Sequence, residues 1–139
     1  MSLIQKILII DGHPVYAKKT EAFFKGLTFS DIAIAPGASE GLKKFESAPA
    51  DLVVLSSMLP DGDSHEVCRA LRSQAGSSLG IIVQAGLIDQ EQAQQFLLDG
   101  ANRILLRKEK DLAPLQQVVE ELLFSWNHLH PGGGGGFSD

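Results

Sequence analysis

Four short, uninterrupted apolar runs limit what this chain can fold into more than any other feature: Ile7–Ile10, Leu52–Leu55, Ile81–Val83 and Ile104–Leu106. On a half-exposed strand, polar and apolar residues alternate, because successive side chains leave opposite faces. Runs without that alternation belong to strands covered on both sides. A weaker run, Ile32–Ala35, supplies a fifth strand. Between the runs, apolar residues recur at helical spacing: Tyr16, Thr20, Phe23, Phe24 and Leu27, then Val67 and Leu71, then Ala93, Phe96 and Leu97. Strands alternating with helices require right-handed crossovers, so the expected architecture is α/β, a parallel sheet between helical layers. Pro14 suits the first turn of the first helix, Asp89 is placed to cap the fourth, and Gly100 to end it.

With 139 residues, 44% of them hydrophobic, the chain has the material for one core. We place the folded domain at residues 4–129, followed by a glycine-rich tail at 130–139. A net charge of −5 argues against nucleic acid as a direct partner, because phosphate-backbone binding needs a cationic face. The single cysteine, Cys68, leaves no internal disulfide and reads as a small core residue. The sequence shows neither a charged-then-apolar leader nor a long apolar run, so the expectation is a cytoplasmic protein without membrane contact.

The segment Ala50–Asp63, A-D-L-V-V-L-S-S-M-L-P-D-G-D, closely resembles the response-regulator receiver family of two-component signalling, whose pattern there is D-L-V-L-L-D-x-M-L-P-D-G-D-G. The resemblance spans Ile4 to Leu123 and recurs in K-I-L-I-I-D-G-H-P (Lys6–Pro14), G-I-I-V-Q-A-G-L (Gly80–Leu87) and G-A-N-R-I-L-L-R-K (Gly100–Lys108). It implies the flavodoxin-like (βα)5 receiver fold, strand order 2-1-3-4-5, with ligands gathering at the carboxyl ends of the strands. It also implies a phosphorylation pocket, and there this chain departs from the family. Asp11 matches the first of two acidic residues, and Gly12 stands where the second belongs. Ser56 replaces the phosphoacceptor aspartate, Ala85 the hydroxyl residue that contacts the phosphoryl group, and Ile104 the aromatic switch. Arg107 replaces the lysine and Lys108 the usually cis proline.

These substitutions remove the parts that phosphoryl transfer needs. An in-line transfer relies on a metal ion and fixed cations to offset developing charge. A serine hydroxyl is a poor nucleophile without a base, and magnesium prefers several hard oxygen ligands including carboxylates. With Asp11 the only acid left and Arg107 beside it, we expect no metal, no cofactor and no catalysis. The planar fork of arginine suits a carboxylate, so Arg107 is expected to bond Asp11 directly. The alternative has Arg107 in solvent and Asp11 held by backbone amides. His13 reads as a positional residue, His65 as an exposed residue on the third helix, and Asp61, Gly62 and Asp63 as the turn and cap before that helix.

The resulting expectation is a degenerate receiver, or pseudo-receiver, acting without phosphorylation as a protein-interaction and regulatory module. Its partners would be signalling proteins or a fused effector domain. Alternatives are a receiver phosphorylated at the atypical acceptor Ser56, or a receiver-like domain that senses a small molecule. A hydrolase using Asp11 and Ser56 lacks an identifiable base and oxyanion site. Leu112, Leu115, Val119, Leu122, Trp126 and Leu129 fall on heptad a and d positions. Phe124, Trp126 and Leu129 lie past the family's usual domain end and are the expected partner contact, including a possible homodimer.

Overall fold

The computed structural model describes residues 4–107, 115 and 117–121. The elements run in the order β1 (Lys6–Ile10), α1 (Pro14–Gly26), β2 (Asp31–Ala35), α2 (Ala38–Ser47), β3 (Leu52–Ser56), α3 (Ser64–Ala75), β4 (Gly80–Ala85), α4 (Gln90–Asp99) and β5 (Arg103–Leu106). A further helical stretch covers residues 117–121. The five strands form one sheet in the order β2-β1-β3-β4-β5, every neighbouring pair parallel.

Strand alternation divides the interior into two cores. Leu8, Ile10, Val53, Leu55, Ile81 and Val83 face the side on which Phe45 of α2, Val67 and Leu71 of α3, and Phe96 of α4 are buried. Ile7, Ile9, Leu52, Val54 and Ile82 face the other side, against Ala17 and Phe24 of α1 and against Leu115, Val118 and Val119. β1, β3 and β4 are covered on both faces, as their continuous runs require. β5 is less covered than its run predicts: it is an edge strand, and Leu106 is 54% exposed.

Pro14 opens α1, Asp89 caps α4 by accepting from the Gln92 amide, and Gly100 ends α4 at φ 118°, a left-handed conformation suited to glycine. On α4 the buried positions are Phe96 and Asp99, whereas Leu97 of the expected stripe is 50% exposed. A carboxylate thus takes the inward place assigned to a leucine.

Arg72 ties this half of the molecule together. Its guanidinium donates from Nε and Nη2 to the Gly100 carbonyl at 3.1 and 2.7 Å, from Nη1 to the Gly76 and Leu79 carbonyls, and from Nη2 to Asn102 Oδ1 at 2.9 Å. Asn102 Oδ1 also accepts from the Ile81 amide. One side chain therefore satisfies carbonyls after α3 and α4, which their helices leave unpaired.

Removing Arg72 leaves partly buried carbonyls without donors, so Arg72→Ala is expected to cost about 2–4 kcal/mol. Arg103→Ala, removing a side chain 48% exposed, should cost no more than ~0.5 kcal/mol. Urea unfolding of both variants checks the contrast.

Candidate functional site at the carboxyl edge of the sheet

Asp11, Ser56, Gln84 and Arg107 converge because each continues the alternation of the strand face that looks toward α1. Asp11 follows Ile7 and Ile9, Ser56 follows Leu52 and Val54, Gln84 follows Ile82, and Arg107 follows Leu105. Ser56 is paired directly with Gln84. The Arg107 amide donates to the Ala85 carbonyl, extending the β5 ladder one residue past Leu106. Ala85 alternates with Gln84 and is completely buried, and Ile104 packs against the opposite core.

The central contact is Arg107 Nη2 to Asp11 Oδ2 at 2.6 Å, with the side chains 12% and 3% exposed. Asp11 Oδ1 accepts from the His13 amide at 2.9 Å. Arginine pairing and amide support, posed above as alternatives, therefore coexist on one carboxylate. Gln84 Oε1 lies 3.5 Å from the same Nη2, at the outer limit of a hydrogen bond. The Arg107 guanidinium carbon lies 4.2 Å from the Tyr16 ring centroid, a cation–π contact. His13 packs edge-on against the same ring and caps α1 through Nδ1. Arg107 Nε is buried without a partner.

Ser56 is 6% exposed, and its hydroxyl is used locally: Oγ donates to the Met58 carbonyl at 2.9 Å and accepts from the Met58 amide at 3.3 Å. The Ser56 carbonyl accepts from Ser64 Oγ at 2.7 Å. Such a serine organises its own turn. Gly12 offers no ligand, and a Cβ there would stand 2.7 Å from Pro60 Cδ and 2.9 Å from the Pro36 carbonyl oxygen. This donor set does not suit magnesium, which needs several hard oxygens in a roomy octahedral arrangement. The one carboxylate present is committed to a guanidinium. Among the described residues no group of three or more His, Cys, Asp and Glu gathers elsewhere.

A second polar cluster joins α3 to α4. Asp99, 2% exposed in its side chain, is met by His65 Nδ1 at 2.7 Å and Arg69 Nη1 at 3.0 Å, and by Gln95 Nε2 at 2.8 Å. His65 stacks on Phe96 with centroids 3.7 Å apart and planes 16° from parallel. This corrects the reading of His65 as a free surface residue. Burial pushes the Asp99 carboxyl up, but hydrogen bonds from Gln95, His65 and Arg69 outweigh it and leave the group below its usual range. Asp61 also departs from expectation. Asp63 caps α3, whereas Asp61 reaches back to the amides of Ala38 and Ser39 at the start of α2.

Tyr16 and Gln84 are the site members that periodicity missed. Tyr16 lies on an apolar stripe, and Gln84 lies just past the apolar run Ile81–Val83. Asp99 carries a signal: its spacing of three from Phe96 places an acid on the inward face of α4. Ile104, expected at the switch position, is partly buried against the core beneath α2, α3 and α4. The expected partner residues Phe124, Trp126 and Leu129, together with Lys108 and the tail, lie outside the described residues.

The family model described as response regulator receiver domain matches residues 7–120. The DNA-binding response regulator MtrA of Mycolicibacterium smegmatis is 30% identical over 110 residues, which cover 78% of this chain and 47% of that protein. The alkaline phosphatase synthesis transcriptional regulatory protein PhoP of Bacillus subtilis is 48% identical over 70 residues, 50% of this chain and 29% of that protein. The chain thus spans less than half the length of these relatives. A crystal structure of a two-component response regulator from Clostridium difficile superposes with a TM-score of 0.81 at 27% identity, covering 88% of this chain and 98% of that one.

The Asp11 and Arg107 side chains are more enclosed than a pocket open to solvent would leave them. Removing one member of a buried pair strands the other, so Asp11→Ala is expected to cost about 3–5 kcal/mol. A double-mutant cycle with Arg107→Ala should show coupling of ~1 kcal/mol or more. The Asp99 cluster predicts an acid limb. A folded value below the ordinary 3.8 means stability that is full above the unfolded value and is lost as pH falls through the folded one. Urea midpoints measured from neutral pH downward should therefore fall less steeply in Asp99→Asn.

Proposed function

The chain belongs to the response regulator receiver domain family, and from that premise we propose that it is a pseudo-receiver, regulating protein partners without phosphoryl transfer. The observation that carries this reading is the buried Asp11–Arg107 pair. The family pocket holds three carboxylates against a divalent metal and a lysine; here one carboxylate faces one guanidinium, and the charge is balanced without a metal. The residue at the acceptor position supports the same reading. The Ser56 hydroxyl is enclosed and bonded to Met58 at both its donor and its acceptor side. No base contacts it among the described hydrogen bonds, so the hydroxyl lacks the activation a nucleophile needs.

A module of this kind acts by contact. The family uses its fourth helix, fifth strand and fifth helix for partners, and here α4 and β5 display Leu97, Leu98 and Leu106 at 50%, 80% and 54% exposure. The other exposed residues of α4 are Gln90, Glu91, Gln92, Gln94 and Gln95, so its surface gives a partner apolar contact with little charge. Phe124, Trp126 and Leu129 are the further proposed partner contact, either with a second copy or with a signalling protein. MtrA is a DNA-binding response regulator and PhoP a transcriptional regulatory protein, and both are longer than this chain. A fused or separate effector is therefore the proposed route to output, with the receiver supplying protein contacts rather than nucleic-acid ones.

Incubation with acetyl phosphate and magnesium should give no gain of a phosphate in intact mass, and Ser56→Asp alone should stay unlabelled, because the added carboxylate would still face Arg107 without a metal. Stoichiometric phosphate on Ser56 would establish the atypical-acceptor reading instead. Efficient labelling of Ser56→Asp would show that Arg107 and Gly12 do not disable the pocket.

A further inference from the structure

Helix α2 begins without a cap of its own. Its N-cap residue, Gly37, has no side chain to accept from the first amides, which are ordinarily satisfied by Ser, Thr, Asp or Asn at that place. The acceptor comes from elsewhere in the chain. Asp61, in the loop between β3 and α3, accepts from Ala38 N through Oδ1 at 2.7 Å and from Ser39 N through Oδ2 at 3.2 Å. Glycine at position 37 is what admits it, since a Cβ there would lie 2.5 Å from Asp61 Oδ1. Those amides hold the Asp61 carboxyl below its usual range, as a carboxylate that accepts backbone hydrogen bonds should be.

The borrowed cap ties the β2–α2 and β3–α3 loops together, and Gly12 lies beneath the tie. A Cβ on Gly12 would meet Pro60 of one loop and the Pro36 carbonyl of the other, both inside 3.0 Å. Both ends of the β3–α3 loop are anchored as well, its start by the Ser57 amide donating to the Gln84 carbonyl and its end by Ser64 Oγ donating to the Ser56 carbonyl. The loop also folds back on itself in a Leu59–Gly62 bridge. The segment is thus fastened at its start, its end and its middle, and the middle fastening is a single carboxylate.

We propose that Asp61 is the clasp of a strap, the β3–α3 loop, which closes the acidic corner of the site over Gly12 and sets the position of α2. The site is then closed sterically as well as neutralised by charge. Releasing Asp61 frees Pro60 to withdraw and opens the space above Gly12. Met58, 81% exposed on the same loop, is displayed where the closed strap holds it. This inference rests on the inert-site reading for its functional meaning, but its geometry is independent of that reading.

A mutant cycle on the intact chain tests the closure. Gly12→Ala should lower the urea midpoint in the wild-type background, and the drop should shrink by at least half in both Pro60→Gly and Asp61→Ala backgrounds, where the ring or its tether is gone. An equal drop in all three backgrounds overturns the proposal. Amide hydrogen exchange tests the clasp even if Gly12→Ala fails to fold. In Asp61→Ala, exchange at Ala38 and Ser39 should rise ~tenfold or more, with amides in the middle of α2 unchanged, because each lost bond is to a charged acceptor. Unchanged exchange at Ala38 and Ser39 overturns it. Phosphate labelling reports separately on the inert-site reading, so either proposal can fail without the other.

Discussion

The Asp11–Arg107 contact is the constraint on which the carboxyl edge of this sheet depends. A carboxylate 3% exposed must be neutralised, hydrogen-bonded or protonated. Here it receives one guanidinium nitrogen and one backbone amide. In receiver domains that place calls for a metal. A fixed cation differs from a metal in a way that bears on the proposed function: it arrives by folding, not by binding. Tyr16 completes the enclosure by offering its ring face to the guanidinium. The site is thereby connected to α1 as well as to β1 and β5.

The remaining polar interior follows the same economy of a few multivalent side chains. Arg72 satisfies carbonyls that follow α3 and α4, and Asp99 gathers donors from both helices. Asp61 does for α2 what a local cap would otherwise do. Each links elements far apart in sequence, so each contributes to one arrangement of the helices around the sheet. The two-sided apolar core supplies most of the driving force, and these groups select among the packings it would allow.

The architecture was legible in the sequence because it rests on short-range pattern. Ile7–Ile10 and Leu52–Leu55 are covered on both faces, and the observed strand order is the one the resemblance implied. The capping roles of Pro14, Asp89 and Gly100 are likewise local. Legibility ended where a side chain acts across elements. Leu106 lies in an apolar run but on an edge strand, a position that run length does not report. His65 and Asp99 are 34 residues apart, and each is unremarkable in its own helix. Asp61 lies beside a helix start but caps another. Of the site, Asp11 and Arg107 were found because the resemblance aligned them and their charges are opposite, whereas Gln84 and Tyr16 are contributed by strand parity and helix phase.

The central claim is that Arg107 occupies the electrostatic role of a divalent ion beside Asp11. It is tested most directly by following the amide resonances of Gly12, Ser56 and Ala85 while magnesium is titrated into the millimolar range. The account predicts no saturable change at these residues in the wild-type chain. Saturable shifts centred on them would show that the metal binds with Arg107 in place, and would contradict it.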